Sequence, residues 1–199
     1  MKEFTSVIMA AGMGTRMKSE LPKVVHQILG KALVQWVADV SKKAGAKDVV
    51  TIVGHKAEQV RAVLGDTCDY ALQAEQKGTG HAVMQAAEQI RQKGGVIVIL
   101  NGDIPLIRAE TIQKAIESHC ANKNSVTVIT AVLEDAAGYG RIIRDDAGYV
   151  QKIVEHKDAT EAERAVLAIN SGMYVFDSAA LLYALGQLQP NNAQGEYYL

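Results

Sequence analysis

The run Val96-Ile97-Val98-Ile99-Leu100, followed by Asn101-Gly102-Asp103-Ile104-Pro105-Leu106, decides the fold. Consecutive β-branched and aliphatic residues read as a strand, and the Gly and Pro behind them read as a tight loop. A helical pattern follows over about residues 109–121. Moving toward the N-terminus, the same alternation recurs: Ser6-Val7-Ile8-Met9, then Leu33 to Ala44, Val49-Val50-Thr51-Ile52-Val53, Ala57 to Leu64, Tyr70-Ala71-Leu72, and Thr79 to Gln92. In the last segment Ala82, Val83, Ala86, Ala87 and Ile90 share one face, with Gln85, Glu88, Gln89 and Gln92 elsewhere. Gly94-Gly95 ends it. Strand and helix periods in alternation predict βαβ units: an α/β, three-layer architecture on a mostly parallel central sheet.

Beyond Ser125 the texture changes. Val126 to Val132 reads as a strand, and the turns at Asp135 to Gly140 and Asp145 to Gly148 read as hairpin signals. These strands are expected to leave the parallel order in part and to cover one side of the sheet. Ile169 to Phe176 returns to the sheet, and a helix runs from Ser178 to about Leu185. With no linker, repeat or low-complexity stretch, residues 1–199 read as one domain.

The composition narrows the function. Of 199 residues, 48% are hydrophobic and 22% charged, which excludes disorder as the main state. Lys and Arg (21) nearly balance Asp and Glu (22), so the chain lacks the basic excess of a nucleic-acid binder. Cys68 and Cys120 match no metal or CxxC spacing and read as free thiols, the usage of a reducing compartment. The apolar run Val7 to Ala11 is too short for a signal peptide or a membrane span, so a cytoplasmic protein without a membrane partner is expected.

Ligands of open parallel sheets bind at the carboxyl ends of the strands, and three loops there are unusual. The first is Ala10-Ala11-Gly12-Met13-Gly14-Thr15-Arg16-Met17. Small residues let main-chain N–H groups approach an anion or a flat base. The loop is neither the dinucleotide fingerprint, since position 17 is Met, nor a P-loop, since no Gly-Lys-Ser/Thr closes it. Arg16, Lys18, Lys23 and Lys31 face one acid, Glu20, between Met13 and Lys31. Phosphate is a natural partner, and a plain glycine turn with a solvated basic loop is the alternative.

The second loop is Gln73-Ala74-Glu75-Gln76-Lys77-Gly78-Thr79-Gly80-His81. Glutamine offers a donor and an acceptor together, which suits the imide edge of uracil. The alternative is a helix start capped by Thr79. His81 reads as a packing or hydrogen-bonding residue. The third loop is Asn101-Gly102-Asp103, where a carboxylate at a strand end can hold Mg²⁺ against phosphates, or Asp103 serves only as a turn residue. His26, His55, His119 and His156 show no ligand spacing and read as structural.

Together these loops resemble the sugar-nucleotide pyrophosphorylases, most closely the uridylyltransferase domain of the bifunctional bacterial enzymes that form UDP-N-acetylglucosamine. The resemblance also rests on Leu21-Pro22-Lys23-Val24-Val25-His26, Gly138-Tyr139-Gly140-Arg141-Ile142 and Ile153 to Ala159. It extends through Ile169-Asn170-Ser171-Gly172 and Asn192 to Leu199. It implies a Rossmann-like nucleotidyltransferase fold and transfer from UTP to N-acetylglucosamine 1-phosphate, giving UDP-N-acetylglucosamine and pyrophosphate with Mg²⁺ as cofactor. By position, it implies that Met9, Ala10, Ala11 and Gly12 hold the uridine while Gln73, Gln76 and Gly78 read the base. Arg16 and Lys23 would be the catalytic residues on the phosphates, and Asp103, beside Gly102, the metal ligand. Thr79, Asn101, Gly140, Glu155 and Asn170 would line the sugar side.

The chain departs from the family pattern in three places. Ala32 stands where Pro is usual, and Asn101 where Tyr or Cys is commoner. The family domain continues past Leu199, supplying a second Mg²⁺ ligand, and the bifunctional enzymes add a trimer-forming left-handed β-helix acetyltransferase domain. For residues 1–199 the expectation is therefore a monomer or weak oligomer without acetyltransferase activity. A pyrophosphorylase for another sugar 1-phosphate and a non-catalytic nucleotide-sugar binding module are the competing readings.

Overall fold

The computed structural model describes residues 2–14 and 17–199. Strand β1 (Phe4–Ala10) lies between β4 (Ala46–Val53) and β6 (Val96–Asn101), parallel to both, and β5 (Asp69–Leu72) adds to β4 in the same sense. Helix α1 (Leu33–Lys43) leads into β4 and α2 (Ala57–Leu64) into β5. Helices α3 (Thr79–Gln85) and α4 (Ala87–Lys93) precede β6, and α5 (Ala109–Ala121) follows it. A small hairpin, β2 (Gln27–Ile28) with β3 (Lys31–Ala32), precedes α1.

The second half of the sheet is built on β10 (Ala168–Asp177), which runs antiparallel to β6 and carries β7 (Val126–Val132) and β8 (Arg141–Arg144). β9 (Val150–Val154) pairs with β8, giving the order β5-β4-β1-β6-β10-β8-β9 with β7 also on β10. Six strands therefore share one direction, and only β10 and β9 oppose them. A short helix, α6 (Glu161–Arg164), and a final one, α7 (Ser178–Leu185), complete the chain's regular structure.

Period-two alternation divides the core between the two faces of the sheet. Ile8, Val49, Val53, Val98 and Leu100 pack with Val34 and Val37 of α1, Val60 of α2 and Ile112 and Ile116 of α5. Val7, Val50, Ile52, Ile97 and Ile99 pack with Val83 of α3, Ile90 of α4 and Leu181 of α7. This is the three-layer arrangement expected from the sequence. Among the described residues, no helix is long and apolar enough to cross a membrane.

Three readings need correction. The strands after Ser125 do not cover one side of the sheet: β7, β8 and β9 lie in it, joined through β10. The helix expected from Thr79 to Gln92 is two helices, broken at Ala86 (φ −94°, ψ 5°) by a tight turn in which the Ala86 N–H bonds to the Val83 carbonyl. The apolar stripe survives the break, because Ala82, Val83, Ala86 and Ile90 stay in one cluster. The turn at Asp135 to Gly140 makes no hairpin: β7 and β8 each pair with β10. The Asp145 to Gly148 turn does join a hairpin, β8 to β9.

Candidate functional site

The carboxyl ends of β1, β4, β5 and β6 lie side by side, and ladder-like bonds carry their register into the loops. The His55 N–H donates to the Ala11 carbonyl (3.3 Å), Gln73 N–H to Val53 (2.8 Å) and Gly102 N–H to Met9 (2.9 Å). These bonds draw the three loops around one cavity of about 430 Å³. Its lining includes Met9, Ala11, Gly12, Lys23, Gln73, Gln76, Gly78, Thr79, Asn101 and Asp103, all expected from the sequence, together with Met13, Gly14, Val24, Ala82 and Glu196. Ala10 and Gly102 stand behind this wall: Ala10 is buried, and Gly102 ties β6 to β1 through Met9. Arg16 lies outside the described residues.

A second cavity of about 340 Å³ adjoins the first, sharing Met9, Thr79 and Asn101. It gathers Gly140, Glu155 and Asn170, as expected, and adds Tyr139, Ser171, Gly172, Tyr174, Gln194 and Tyr198. Tyr174 is the most informative of the residues the sequence reading missed. It sits at 3% exposure on β10, and its hydroxyl lies 2.7 Å from Asn170 Nδ2 and 3.0 Å from Asn170 Oδ1. Burial pushes its phenol up to about 12. Its place in the Ile169 to Phe176 run marked it only as strand.

Lys23, on a single 3₁₀ turn (Lys23–Val25), forms an ion pair with Asp103 on the floor of the first cavity. Gln73 is 3% exposed, and its Nε2 donates to the Gly78 carbonyl (3.2 Å) and lies 3.1 Å from His81 Nδ1. His81 Nε2 is 3.3 Å from Gln85 Nε2, which also donates to the His81 carbonyl (3.1 Å); a neutral ring, with one acceptor nitrogen, takes a bond from one of the two glutamines. Gly78, not Thr79, caps α3. The Thr79 hydroxyl instead accepts from the Leu199 N–H (3.2 Å), while the Tyr197 N–H donates to Lys77 (2.8 Å) and Gly80 N–H to Tyr197 (2.8 Å). Residues 196–199 are thereby laid over the start of α3.

Glu155, in the second cavity, is half-buried, and burial raises its carboxyl above the usual range, with the Asp158 charge adding to the shift. Asp103 is the expected metal ligand, at the carboxyl end of β6. Among the described residues no three His, Cys, Asp or Glu side chains gather as a metal cage. One carboxylate at a strand end fits Mg²⁺, which takes one or two protein carboxylates and completes its shell from phosphates and water.

An open α/β sheet with glycine-rich and acidic loops converging at the ends of its parallel strands is the build of a nucleotide-binding protein. The sequence profile of the family described as Nucleotidyl transferase matches residues 5–197, and the chain belongs to that family. It is 53% identical over its full length to the Bifunctional protein GlmU of Caldanaerobacter subterraneus subsp. tengcongensis, covering 43% of that protein. To the protein of the same name from Bacillus subtilis it is 51% identical over 194 residues, 98% of this chain and 42% of the relative. The chain thus spans less than half the length of these relatives. The solved structure of a UDP-glucose pyrophosphorylase complexed with UDP-glucose shares the fold, with a TM-score of 0.77 at 17% identity, over 98% of this chain and 83% of the other.

Proposed function

We propose that residues 1–199 form one uridylyltransferase domain that joins UTP to N-acetylglucosamine 1-phosphate, forming UDP-N-acetylglucosamine and releasing pyrophosphate. The observation that carries this reading is the pair of adjoining cavities sharing Met9, Thr79 and Asn101, one floored by Lys23 and Asp103, the other holding Glu155 and Asn170. Relatives more than half identical to this chain support it.

The chemistry follows from charge. The attacking oxygen of a sugar phosphate is already ionised at neutral pH, so neither a protein nucleophile nor a strong base is required. The protein's task is to align two mutually repelling polyanions and to stabilise the charge on the α-phosphoryl group and the leaving pyrophosphate. Gly12 leaves open space where a Cβ would stand, allowing the nucleotide to approach the main chain. Gln73 and Gln76 present amides toward the base, and Lys23, with Arg16, neutralises phosphate oxygens. Asp103 would hold Mg²⁺, which supplies charge neutralisation on the phosphates when bound. Glu155 and Asn170 accept and donate hydrogen bonds to the sugar. The half-buried free thiols Cys68 and Cys120 fit a cytoplasmic setting, and we expect a monomer or weak oligomer.

A pyrophosphate-release assay with UTP, N-acetylglucosamine 1-phosphate and Mg²⁺ tests the reading. Turnover with this pair, and far less with glucose 1-phosphate or GTP, is the expected result. Tight UDP-N-acetylglucosamine binding with no pyrophosphate released would leave only a binding module.

A further inference from the structure

β10 is interrupted where it meets the second cavity. Ile169 and Asn170 pair with Ala131 and Thr130 of β7, but the next paired residue is Met173, opposite Ile129, so Ser171 and Gly172 form a two-residue bulge. Toward β7, the Ser171 hydroxyl donates to the Ile129 carbonyl and accepts from the Met173 N–H. Toward β6, Asn101 Nδ2 donates to the Ser171 carbonyl at 3.1 Å. Gly172 is left-handed (φ 72°), and a Cβ on it would lie 2.8 Å from Asn101 Nδ2. The Asn101 amide is therefore packed directly on the backbone that turns through the bulge. Within the bulge, Asn170 Oδ1 accepts from the Gly172 N–H (3.0 Å), so the turn and the Asn170 side chain are set together.

The two sides of this contact differ in rigidity. Val96 to Leu100 of β6 are fully buried in the centre of the sheet, whereas Asn170, Ser171 and Gly172 are all partly exposed. A hydrogen bond from the fixed strand to the exposed bulge anchors the bulge. We propose that Asn101 is a positioning residue for the sugar-phosphate half of the site: it holds the bulge through the Ser171 carbonyl and thereby aims Asn170 into the second cavity. This rests on the uridylyltransferase reading for the identity of the ligand, but the anchoring does not. Because one Asn101 Nδ2 proton goes to Ser171 and the expected uridine contacts at Met9 to Gly12 and Gln73 are carried by other elements, loss of this bond acts on the sugar phosphate first.

The test uses Asn101→Leu, which removes the donor at similar size, Asn101→Asp, which keeps the shape but cannot donate, and Asn101→Gln, which keeps the amide. Two readouts are taken: amide hydrogen exchange over residues 169–174 in the free protein, and separate KM values for UTP and N-acetylglucosamine 1-phosphate. The Leu and Asp variants are expected to exchange faster at Gly172 and Met173, with the sugar-phosphate KM raised about five- to tenfold and the UTP KM within about twofold. The Gln variant should recover part of both effects. Unchanged exchange in the bulge, or equal shifts in the two KM values, overturns the proposal. If the parent chain shows no turnover, the uridylyltransferase reading falls, and the exchange measurement alone still decides whether Asn101 anchors the bulge. Should the Leu variant not fold, the Asp and Gln variants carry the same comparison.

Discussion

The Lys23 ammonium is ion-paired with the Asp103 carboxylate across the floor of the first cavity, joining the basic loop after β1 to the acidic end of β6. Neither partner is fully withdrawn from water, the side chains being 35% and 25% exposed. Such a pair contributes about 0–1 kcal/mol to stability. Removing either group should therefore cost the fold little.

Lys23→Ala and Asp103→Asn should each lower kcat/KM by about 10²–10³-fold, the usual cost of removing one preorganised charge-stabilising group. Tm should move by no more than about 2–4 °C, the equivalent of roughly 1 kcal/mol at this chain length. Steady-state kinetics beside thermal denaturation checks both. Turnover within tenfold of the parent in both variants would remove the pair from the mechanism.

Glu155 gives a pH-dependent prediction. Burial raises its carboxyl above the ordinary 4.5, so the folded protein binds this proton more readily than the unfolded chain does. Its contribution to stability is fully present below pH 4.5 and is lost as pH rises through the raised value. Above that value the fold carries a half-buried charge. Glu155→Gln should therefore raise Tm near neutral pH, with the gain shrinking toward zero in acid. The same variant should weaken sugar-phosphate binding by roughly 10-fold or more, as expected for a lost hydrogen bond to a charged group. A Tm difference that is constant across pH would contradict the burial argument.

Two glycines separate fold from function. A Cβ on Gly12 meets nothing within 4 Å, whereas Gly78 has φ 103° and a Cβ there would run into the Tyr197 carbonyl. Gly78→Ala should cost about 1–3 kcal/mol in backbone strain, a Tm fall of about 2–12 °C, and should loosen residues 196–199 from α3. Gly12→Ala should leave Tm unchanged and raise the KM for UTP, since its methyl group would stand in the nucleotide's space. Equal Tm losses for the two variants would sink this contrast.

What the sequence revealed and what it hid follow the range of the interactions involved. The strand Val96 to Leu100 and the helices over Ala57–Leu64 and Ala109–Ala121 were legible because periodicity and flanking Gly and Pro are local signals. The direction of β10 was not, because it depends on pairing Tyr174 to Asp177 with Ile99 to Val96 across the sheet. The Asp135 to Gly140 turn misled for the same reason: β7 and β8 find a common partner far along the chain. Residues that reach the first cavity from loops directly after apolar strands, such as Gln73 and Asp103, were readable from that position. Tyr174 was not, because a buried tyrosine inside a strand gives no sign that its hydroxyl turns to Asn170.

Gln73 offers the sharpest test of base recognition. At 3% exposure its amide is held by the Gly78 carbonyl and His81 Nδ1, which fixes the orientation of the whole group at the cavity wall. Gln73→Met preserves length and apolar packing but removes one of the two donors to the Gly78 carbonyl, which keeps the Ala82 N–H, and takes the partner from His81 Nδ1. Losing these two hydrogen bonds, made to partly exposed groups, costs about 0.5–1.5 kcal/mol each. The variant should therefore lose measurable stability and, more tellingly, discrimination between UTP and CTP, because Oε1, the acceptor left for the uracil N–H once Nε2 is engaged by Gly78 and His81, is gone. A site built to hydrogen-bond one partner loses selectivity sharply when that group is removed, so the ratio of kcat/KM for UTP over CTP should fall by about tenfold or more. The sugar-phosphate KM, set in the other cavity, should stay within about twofold. A variant that folds and still prefers UTP as strongly as the parent would assign base reading to another group, with Gln76 the next to test.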